Sequence, residues 1–297
     1  MITVKNCEIC GNSNFKLFIK SRDYSVSKED FNIQECKNCR FLFTSPRPEE
    51  KNLNKYYVSD HYISHTDGNK SLFEKTYQIV KKISINKKFR FISSYIKKGC
   101  ILDVGCGTGN LLYKFKSSGW QTKGVEPSKI AREKAIKNYN LVINDSSNLS
   151  NIKEKFDIIT MWHVLEHMPN LNDVLKNLNR LLNDNGKIII AVPNPESYDA
   201  KHYKKYWAAY DLPIHFSHFT KNSISSLFEK HNFKLIKNKG MIFDSFYVSM
   251  LSEEFKGGSK NIIKATIIGL ISNIIGKLTN KGFSSNLYVF EKNQKIS

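Results

Sequence analysis

Residues 101–109, ILDVGCGTG, decide the fold. Ile101, Leu102 and Val104 form a short apolar run that reads as a buried strand, and it ends in three alternating glycines, Gly105, Gly107 and Gly109. From Asn110 the pattern becomes LLYKFKSSGW, with Leu111, Leu112 and Phe115 at helical spacing. Strand, glycine turn and helix start together make a nucleotide-cofactor site. Glycine admits positive φ and lets a ligand come against the main chain. The first turn of a helix adds N–H groups that have no partner within it.

Working outward, Asp103 sits two residues before the first glycine, and the G-x-G-x-G spacing differs from the G-x-G-x-x-G of dinucleotide binders. A second strand, TKGVE, ends on Glu126, where a carboxylate can accept from both hydroxyls of a ribose, and Pro127 follows. Ser128 caps a helix over 128–139 whose apolar face is Ile130, Ala131, Ala135 and Ile136. LVIN (141–144) is a third strand leading to Asp145-Ser146, an acid placed to accept from an adenine amino group. FDIITMW (156–162) is a fourth strand, LNDVLKNLNRLL (171–182) a helix and GKIIIAVPN (186–194) a fifth strand. Such alternation means parallel strands joined by right-handed crossovers, with ligands gathered at the strands' carboxyl ends. Asp103, Gly105, Glu126, Asp145 and Trp162 all fall at such ends. A helix over 220–231 capped by Thr220, then strands at 233–242 and 286–292, complete the expected class. That class is α/β, Rossmann-like and doubly wound, with a mostly parallel seven-stranded sheet.

Upstream, residues 71–97 carry Phe73, Tyr77, Val80 and Ile83 at helical spacing and read as one or two helices, with Arg90 on the approach to the first strand. Residues 49–70 are polar, with Tyr56, Tyr57, Tyr62, His61 and His65, and serve either as cover for a substrate mouth or as a linker. Thr44-Ser45-Pro46-Arg47-Pro48 reads as a break. Before it, Cys7-x-x-Cys10 and Cys36-x-x-Cys39 form two knuckle-like pairs. Four thiolates so spaced fit a closed tetrahedral structural Zn²⁺ site. Disulfides are the rival, and they suit an exported protein, whereas the start MITVKNCEIC has no apolar signal region. The expected organisation is therefore a zinc-ribbon-like module at 1–45, a linker and helical lead-in at 46–97 and the α/β domain at 98–297. Residues 245–282 enter that domain as a helical insertion before the last strand. The expected location is cytoplasmic.

Within the insertion, IIKATIIGLISNIIGKL (262–278) places Ile263, Ile267, Leu270, Ile271, Ile274 and Leu278 on one face of a helix. It is too short and too interrupted to span a bilayer. That face packs on the body of the protein or on a second copy in a homodimer, or else it lies peripherally on the inner membrane face. The chain has 297 residues and a formal net charge of +19, from 46 Lys and Arg against 27 Asp and Glu. This balance favours an anionic partner. No compact arginine run marks a nucleic-acid stripe, so nucleic acid is the less expected partner.

Asp103-x-Gly105-x-Gly107-x-Gly109 resembles the D-x-G-x-G-x-G signature of class I S-adenosylmethionine (SAM) methyltransferases, and the likeness covers roughly residues 95–195 and 284–292. The resemblance implies SAM as methyl donor. Asp103, Gly105, Cys106, Gly107 and Gly109 would surround its methionine and ribose, with Glu126 and Pro127 at the ribose. Asp145 and Ser146 would lie at adenine, and Trp162 and His163 beside the cofactor. With the Cys pairs, HVLEHMPN (163–170) and DLPIHFSHFT (211–220), the chain resembles bacterial methyltransferases of sugar and surface-glycan pathways. In the zinc-containing sugar C-methyltransferases the second segment holds a catalytic histidine preceded by glutamate. His215 matches the histidine, but Ile214 stands at the glutamate, which turns the expectation from carbon to oxygen as the atom methylated.

His215 and His218 are thus the candidate bases for a sugar hydroxyl. The implied acceptor is an anionic small molecule, a sugar nucleotide or a lipid-linked sugar. His163-x-x-Glu166-His167 also resembles the E-x-x-E-H of small-RNA 2′-O-methyltransferases and quinone-pathway O-methyltransferases, with His163 in place of the first glutamate. Glu166 and His167 read first as residues that order the loop under the pocket; the likeness offers as the alternative a divalent metal on Glu166 and His167, with His215 as a further ligand. Two other functions remain open. One is an rRNA or tRNA methyltransferase whose zinc module grips RNA, although no N/D-P-P-Y/F motif follows the fourth strand. The other is a non-catalytic scaffold of the same fold.

Overall fold

A computed structural model describes residues 1–57, 72–279 and 282–293. His61, Tyr62 and His65 lie outside the described residues, as do the side chains of Phe73, Tyr77, Val80 and Ser146.

Strands β1 (Phe15–Arg22), β2 (Asp30–Cys36) and β3 (Leu42–Thr44) form an antiparallel sheet. Helix α1 spans Leu72–Ser93 and leads to β4 (Cys100–Val104), α2 (Asn110–Ser117), β5 (Gln121–Val125) and α3 (Lys129–Tyr139). Then come β6 (Ile143–Asn144), β7 (Phe156–Trp162), α4 (Leu171–Leu181) and β8 (Leu182–Pro193). The remainder is α5 (Tyr198–Tyr203), β9 (Ser217–His218), α6 (Lys221–Lys230), β10 (Phe233–Gly240), α7 (Asp244–Gly257), α8 (Ile262–Leu278) and β11 (Ser285–Lys292).

The seven-stranded sheet has the order β10-β11-β8-β7-β4-β5-β6. Its β7-β4-β5-β6 part is parallel, with Val104 beside Met161 on one side and Val125 on the other, and Val125 beside Asn144. The expected doubly wound α/β class is therefore what the chain adopts. Local chemistry explains the elements. Ser128 Oγ accepts from Ala131 N at the start of α3, and Thr220 and Ser223 form a reciprocal capping box at the start of α6. In α4, Leu171, Leu175, Leu178 and Leu181 are wholly buried at helical spacing. The third strand is shorter than its apolar run, with Val142 exposed at this sheet edge, and the strand expected at 233–242 ends at Gly240.

The chain forms two compact units. One contains Met1–Tyr57, His163–Asp173 and Ile190–Phe290. Its core joins Phe31, Ile33 and Leu42 of β2 and β3 to Tyr203, Trp207 and Tyr210. Inside it, β9 adds to β3 as a fourth strand, Leu42 facing His218. The stretch Thr44–Pro48, which reads as a break, is tied in here. Thr44 Oγ1 donates to His215 O at 2.6 Å, and Arg47 donates to Pro169 O while its guanidinium lies over the Phe216 ring. Proline ends β3 locally, and these long-range partners hold the exit in place.

The other unit is built on the parallel strands from α1 to Trp162 with Val174–Ile189. Phe115 packs edge-on to Trp120 at 4.9 Å beneath α2, and Ile101, Leu102, Ile159 and Ile188 are fully enclosed.

Residues 245–282 hold α7 and α8, which pack on each other. Of the three destinations open to the isoleucine face of α8, the body is not the one observed, since Ile263, Ile267, Leu270, Ile274 and Leu278 are exposed. Ala265, Ile268, Gly269, Ser272 and Gly276 are the buried residues of the helix. Close approach selects this face: a Cβ on Gly269 would stand 2.8 Å from Phe246 Cδ1, and one on Gly276 would stand 2.8 Å from Gly282 O.

Candidate active site

Within the second unit, Trp162, Asp103, Glu126 and Asp145 stand in that order at the carboxyl ends of adjacent parallel strands or directly after them. The glycine turn is held in the left-handed region, with φ of 73° at Gly105, 54° at Gly107 and 76° at Gly109. Two of these positions have distinct reasons. At Gly109 a Cβ would strike Leu141 Cδ1 at 2.5 Å, so this glycine serves helix packing. At Gly107 a Cβ would meet nothing within 4 Å, so the backbone there faces open space that a ligand can fill.

Glu126 is only 1% exposed. Its Oε2 accepts from Gly107 N at 2.8 Å and its Oε1 from Ser128 N at 3.0 Å. The two backbone donors fix the carboxylate's orientation and leave lone pairs for further hydroxyl donors. Arg132 ties the neighbouring turn together, donating to Glu126 O and Pro127 O and pairing with Asp145 Oδ2 at 3.0 Å. Asp145 is about half exposed, and Ser146 starts a short 3-10 turn.

Asp103, 3% exposed, accepts from Thr160 Oγ1 at 2.5 Å. Burial pushes its carboxyl up to about 6, against the opposing pull of Thr160 and Lys88, and the nearby Glu126 adds to the rise. Burial likewise raises Glu126, opposed by its two backbone donors. Two buried acids that ionise reluctantly are a setting that a cationic ligand relieves. Trp162 is stacked by Lys88, whose Nζ lies 3.9 Å from the ring centroid, while its buried Nε1 has no hydrogen-bond partner among the described residues. Cys106 is buried in the turn, and burial raises its thiol, so it is no nucleophile.

In the first unit, His163 follows Trp162 in the chain with φ 57°, and its N–H donates to Ala191 O. Its ring lies between Asp244 Oδ2 at 3.1 Å and Glu166 Oε1 at 3.5 Å. Burial alone would lower this imidazole, but the two carboxylates override it and raise it to about 10, so His163 carries charge at neutral pH. Glu166 is 1% exposed, and neither carboxylate oxygen accepts a hydrogen bond of proper geometry among the described residues. His167 Nδ1 lies 3.1 Å from Ile214 O, and His215 Nδ1 lies 3.0 Å from Ala209 O. Each ring therefore donates from Nδ1 and keeps its Nε2 lone pair.

The rings of His167 and His215 are 4.5 Å apart, and one ligand atom from each of Glu166, His167 and His215 lies within 4.8 Å of the others. Burial lowers both imidazoles, that of His215 far below its ordinary value with help from the neighbouring histidines. His218 is placed differently. It is enclosed under Tyr210 with Nε2 3.1 Å from Thr44 Oγ1, and burial lowers it to about 3. Asp244 at the start of α7 escaped sequence reasoning, since nothing local links it to His163.

Cys7, Cys10, Cys36 and Cys39 converge, their sulfurs all within 4.8 Å of one another. Cys7–Cys39 and Cys10–Cys36 separations of 3.5 and 3.6 Å are far beyond a disulfide bond, and all four are free thiols. Gly11 and Arg40 each donate back to the first cysteine of their pair, Gly11 N to Cys7 O and Arg40 N to Cys36 O, both with positive φ. The matched turns make both pairs knuckles although only one has glycine.

A profile of the methyltransferase-domain family matches residues 79–238, just over half of the chain. A protein of Alkaliphilus oremlandii described as an uncharacterized methyltransferase is 35% identical over 117 residues, 37% of this chain and 51% of that protein. The ubiquinone biosynthesis O-methyltransferase of Haemophilus ducreyi is 29% identical over 106 residues, 32% of this chain and 45% of the relative. The chain thus spans about half the length of these curated relatives. Among solved structures, a putative sarcosine dimethylglycine methyltransferase from Galdieria sulphuraria superposes with a TM-score of 0.53 at 13% identity, covering 80% of this chain and 97% of that one. The magnesium protoporphyrin IX methyltransferase of Synechocystis, with bound SAH, gives 0.53 at 12% identity over 82% and 100%. Those structural likenesses carry the fold.

Proposed function

The chain belongs to the methyltransferase-domain family, and from that premise we propose that it transfers a methyl group from SAM to a hydroxyl oxygen of a small acceptor. The carrying observation is the row of Asp103, the open Gly107 backbone, prealigned Glu126 and the Trp162 N–H, unpartnered among the described residues, along adjacent strand ends. These residues fit SAM. Glu126 would accept from the ribose hydroxyls, Gly107 would let the ligand lie against the main chain, and Asp103 would balance its positive charge. Bound there, SAM supplies a methyl group already activated on a sulfonium, so what the protein must add is alignment and removal of the acceptor's proton.

Glu166, His167 and His215 are the groups for that proton. An imidazole held far below neutrality is a weak base by itself. A buried carboxylate that accepts no hydrogen bond of proper geometry among the described residues, beside two Nε2 lone pairs on rings anchored through Nδ1, is instead the donor set of a divalent metal. A metal there would lower the acceptor hydroxyl's pKa. His163, charged between Asp244 and Glu166, would hold Glu166 in place. On this reading His215 is the working member of the predicted pair, and His218 secures β9 to Thr44.

The four cysteines fit a structural Zn²⁺, with thiolates close enough for tetrahedral coordination and no position open. The finer assignment of the acceptor is a nucleotide- or lipid-linked sugar, supported by the Cys pairs together with the 163–170 and 211–220 segments. The test is to incubate the full chain with methyl-labelled SAM and separate pools of sugar nucleotides, lipid-linked sugars, phenolic compounds and RNA. Label in a sugar pool as a base-stable methyl ether supports the reading. Label in RNA, or in a carbon or nitrogen position, overturns it.

A further inference from the structure

We infer that α8 docks this protein on an anionic lipid surface, lying in the interface with its isoleucine stripe in the acyl boundary and its lysines among the headgroups. The inference is independent of which acceptor is methylated. Ile263, Ile267, Leu270, Ile274 and Leu278 recur every three or four residues along one face, and they are 77%, 50%, 48%, 57% and 76% exposed. A helix of a water-soluble body normally buries such a face. Here the buried side is made mostly of small residues, Ala265, Gly269, Ser272 and Gly276 with Ile268, while the five large residues of the stripe face outward.

The exposed stripe is extended, not isolated. Asn273 Nδ2 donates to Ile242 O at 2.9 Å, which brings the exposed Ile242–Phe243 corner beside the second half of α8, and Tyr247 is half exposed on α7. Large apolar residues exposed in such a group mark an interaction site. Aromatic residues at its margin suit the boundary between headgroups and chains.

Charge selects the occupant. Helix α8 contains Lys264 and Lys277 and no acidic residue, and Lys256 and Lys260 precede it. Glu253 and Glu254 pair with Lys264 and Lys260, so these acids hold the lysines at the helix start without reversing the sign. Residues 233–282 carry eight lysines against Asp244, Glu253 and Glu254, a net charge of +5. A second copy would bring the same cationic segment, on a chain of net +19, against itself. An anionic bilayer complements it, and basic residues flanking an amphipathic helix strengthen interfacial binding. No helix among the described residues is long and apolar enough to cross a membrane, which leaves a helix lying in the surface.

Flotation of the full chain with phosphatidylcholine vesicles, with and without about a third phosphatidylglycerol, tests this. Binding should require the anionic lipid and weaken as salt rises. Ile267→Glu/Ile274→Glu should reduce it about tenfold or more, with the far-UV spectrum and thermal melting unchanged because both side chains already face outward. Equal binding by the double variant, or no binding of the wild type to anionic vesicles, would overturn the proposal. A wild-type dimer in sedimentation that the double variant converts to monomer would overturn it in favour of a second copy.

Discussion

At the scale of single residues, the two buried acids make opposite demands on stability and on ligand binding. Asp103 has its carboxyl raised from 3.8 to about 6, so the folded chain holds that proton more tightly than the unfolded chain does. Its contribution to stability is complete at pH values below the unfolded pKa and is lost as pH rises through about 6. A cationic ligand favours the ionised form, so SAM affinity should run the other way, strengthening between about pH 5 and 7. Asp103→Asn should therefore raise the melting stability of the ligand-free protein at pH 7 by about 2 kcal/mol while weakening SAM binding. Paired thermal melts and titration calorimetry check both signs at once. If the variant lost stability and affinity together, Asp103 would be a structural residue only.

His215 and Glu166 make a second residue-scale prediction. Glu166→Gln and His215→Ala should each lower kcat by about 10²-fold or more with the SAM dissociation constant unchanged. A chelator should do the same to the wild type, reversibly on adding back divalent metal, and equally to His218→Asn, since His218 lies outside the metal triad. Chelator-resistant turnover that still requires His215 would point to general-base action without metal. These roles were only partly legible in the sequence. Asp103, the glycines and Glu126 were readable because the chemistry of one strand–turn–helix unit is local. The His163–Asp244 pair and the enclosure of His218 by Thr44 join residues far apart in the chain, and no spacing rule reports such pairs.

At the scale of elements, caps and periodicity carry their own consequences. Ser128→Ala removes the acceptor for Ala131 N at the start of α3, beside Glu126, and should cost about 1 kcal/mol in chemical denaturation. Because Ser128 N also fixes Glu126 Oε1 through a backbone bond that alanine keeps, SAM affinity should change little. The sheet strands and α3, α4 and α6 were legible from apolar spacing, since each buries one face. Helix α8 shows where that reading stops. Periodicity tells which residues share a face but not which way the face points, and at Gly269 and Gly276 close backbone approach turned the small face inward. The break at Thr44–Pro48 fails for a related reason, because proline ends a strand locally whatever the exit then packs against.

For the whole molecule, three buried histidines set the acid limit. Burial lowers His167 and His215 and takes His218 to about 3. Groups whose folded pKa is depressed add stability above their unfolded value, near 6.5, and lose it as pH falls toward the folded one. The denaturation midpoint should accordingly fall between about pH 6.5 and 3, and His218→Asn should flatten that slope. The opposite slope at Asp103 lies in the other compact unit, so intrinsic fluorescence of Trp207 in one unit and Trp120 and Trp162 in the other should respond differently to acid. Removing metal from the cysteine cluster should lower the stability of the unit that holds β1–β3, since a domain region of this size leans on its metal.

Calorimetric titration of the full chain with SAM tests the central claim most directly. One saturable site is predicted, which Glu126→Ala weakens by about 2 kcal/mol, some thirtyfold, through loss of hydrogen bonds to a charged acceptor. No heat of binding at neutral pH, or an affinity that Glu126→Ala leaves unchanged, would contradict it.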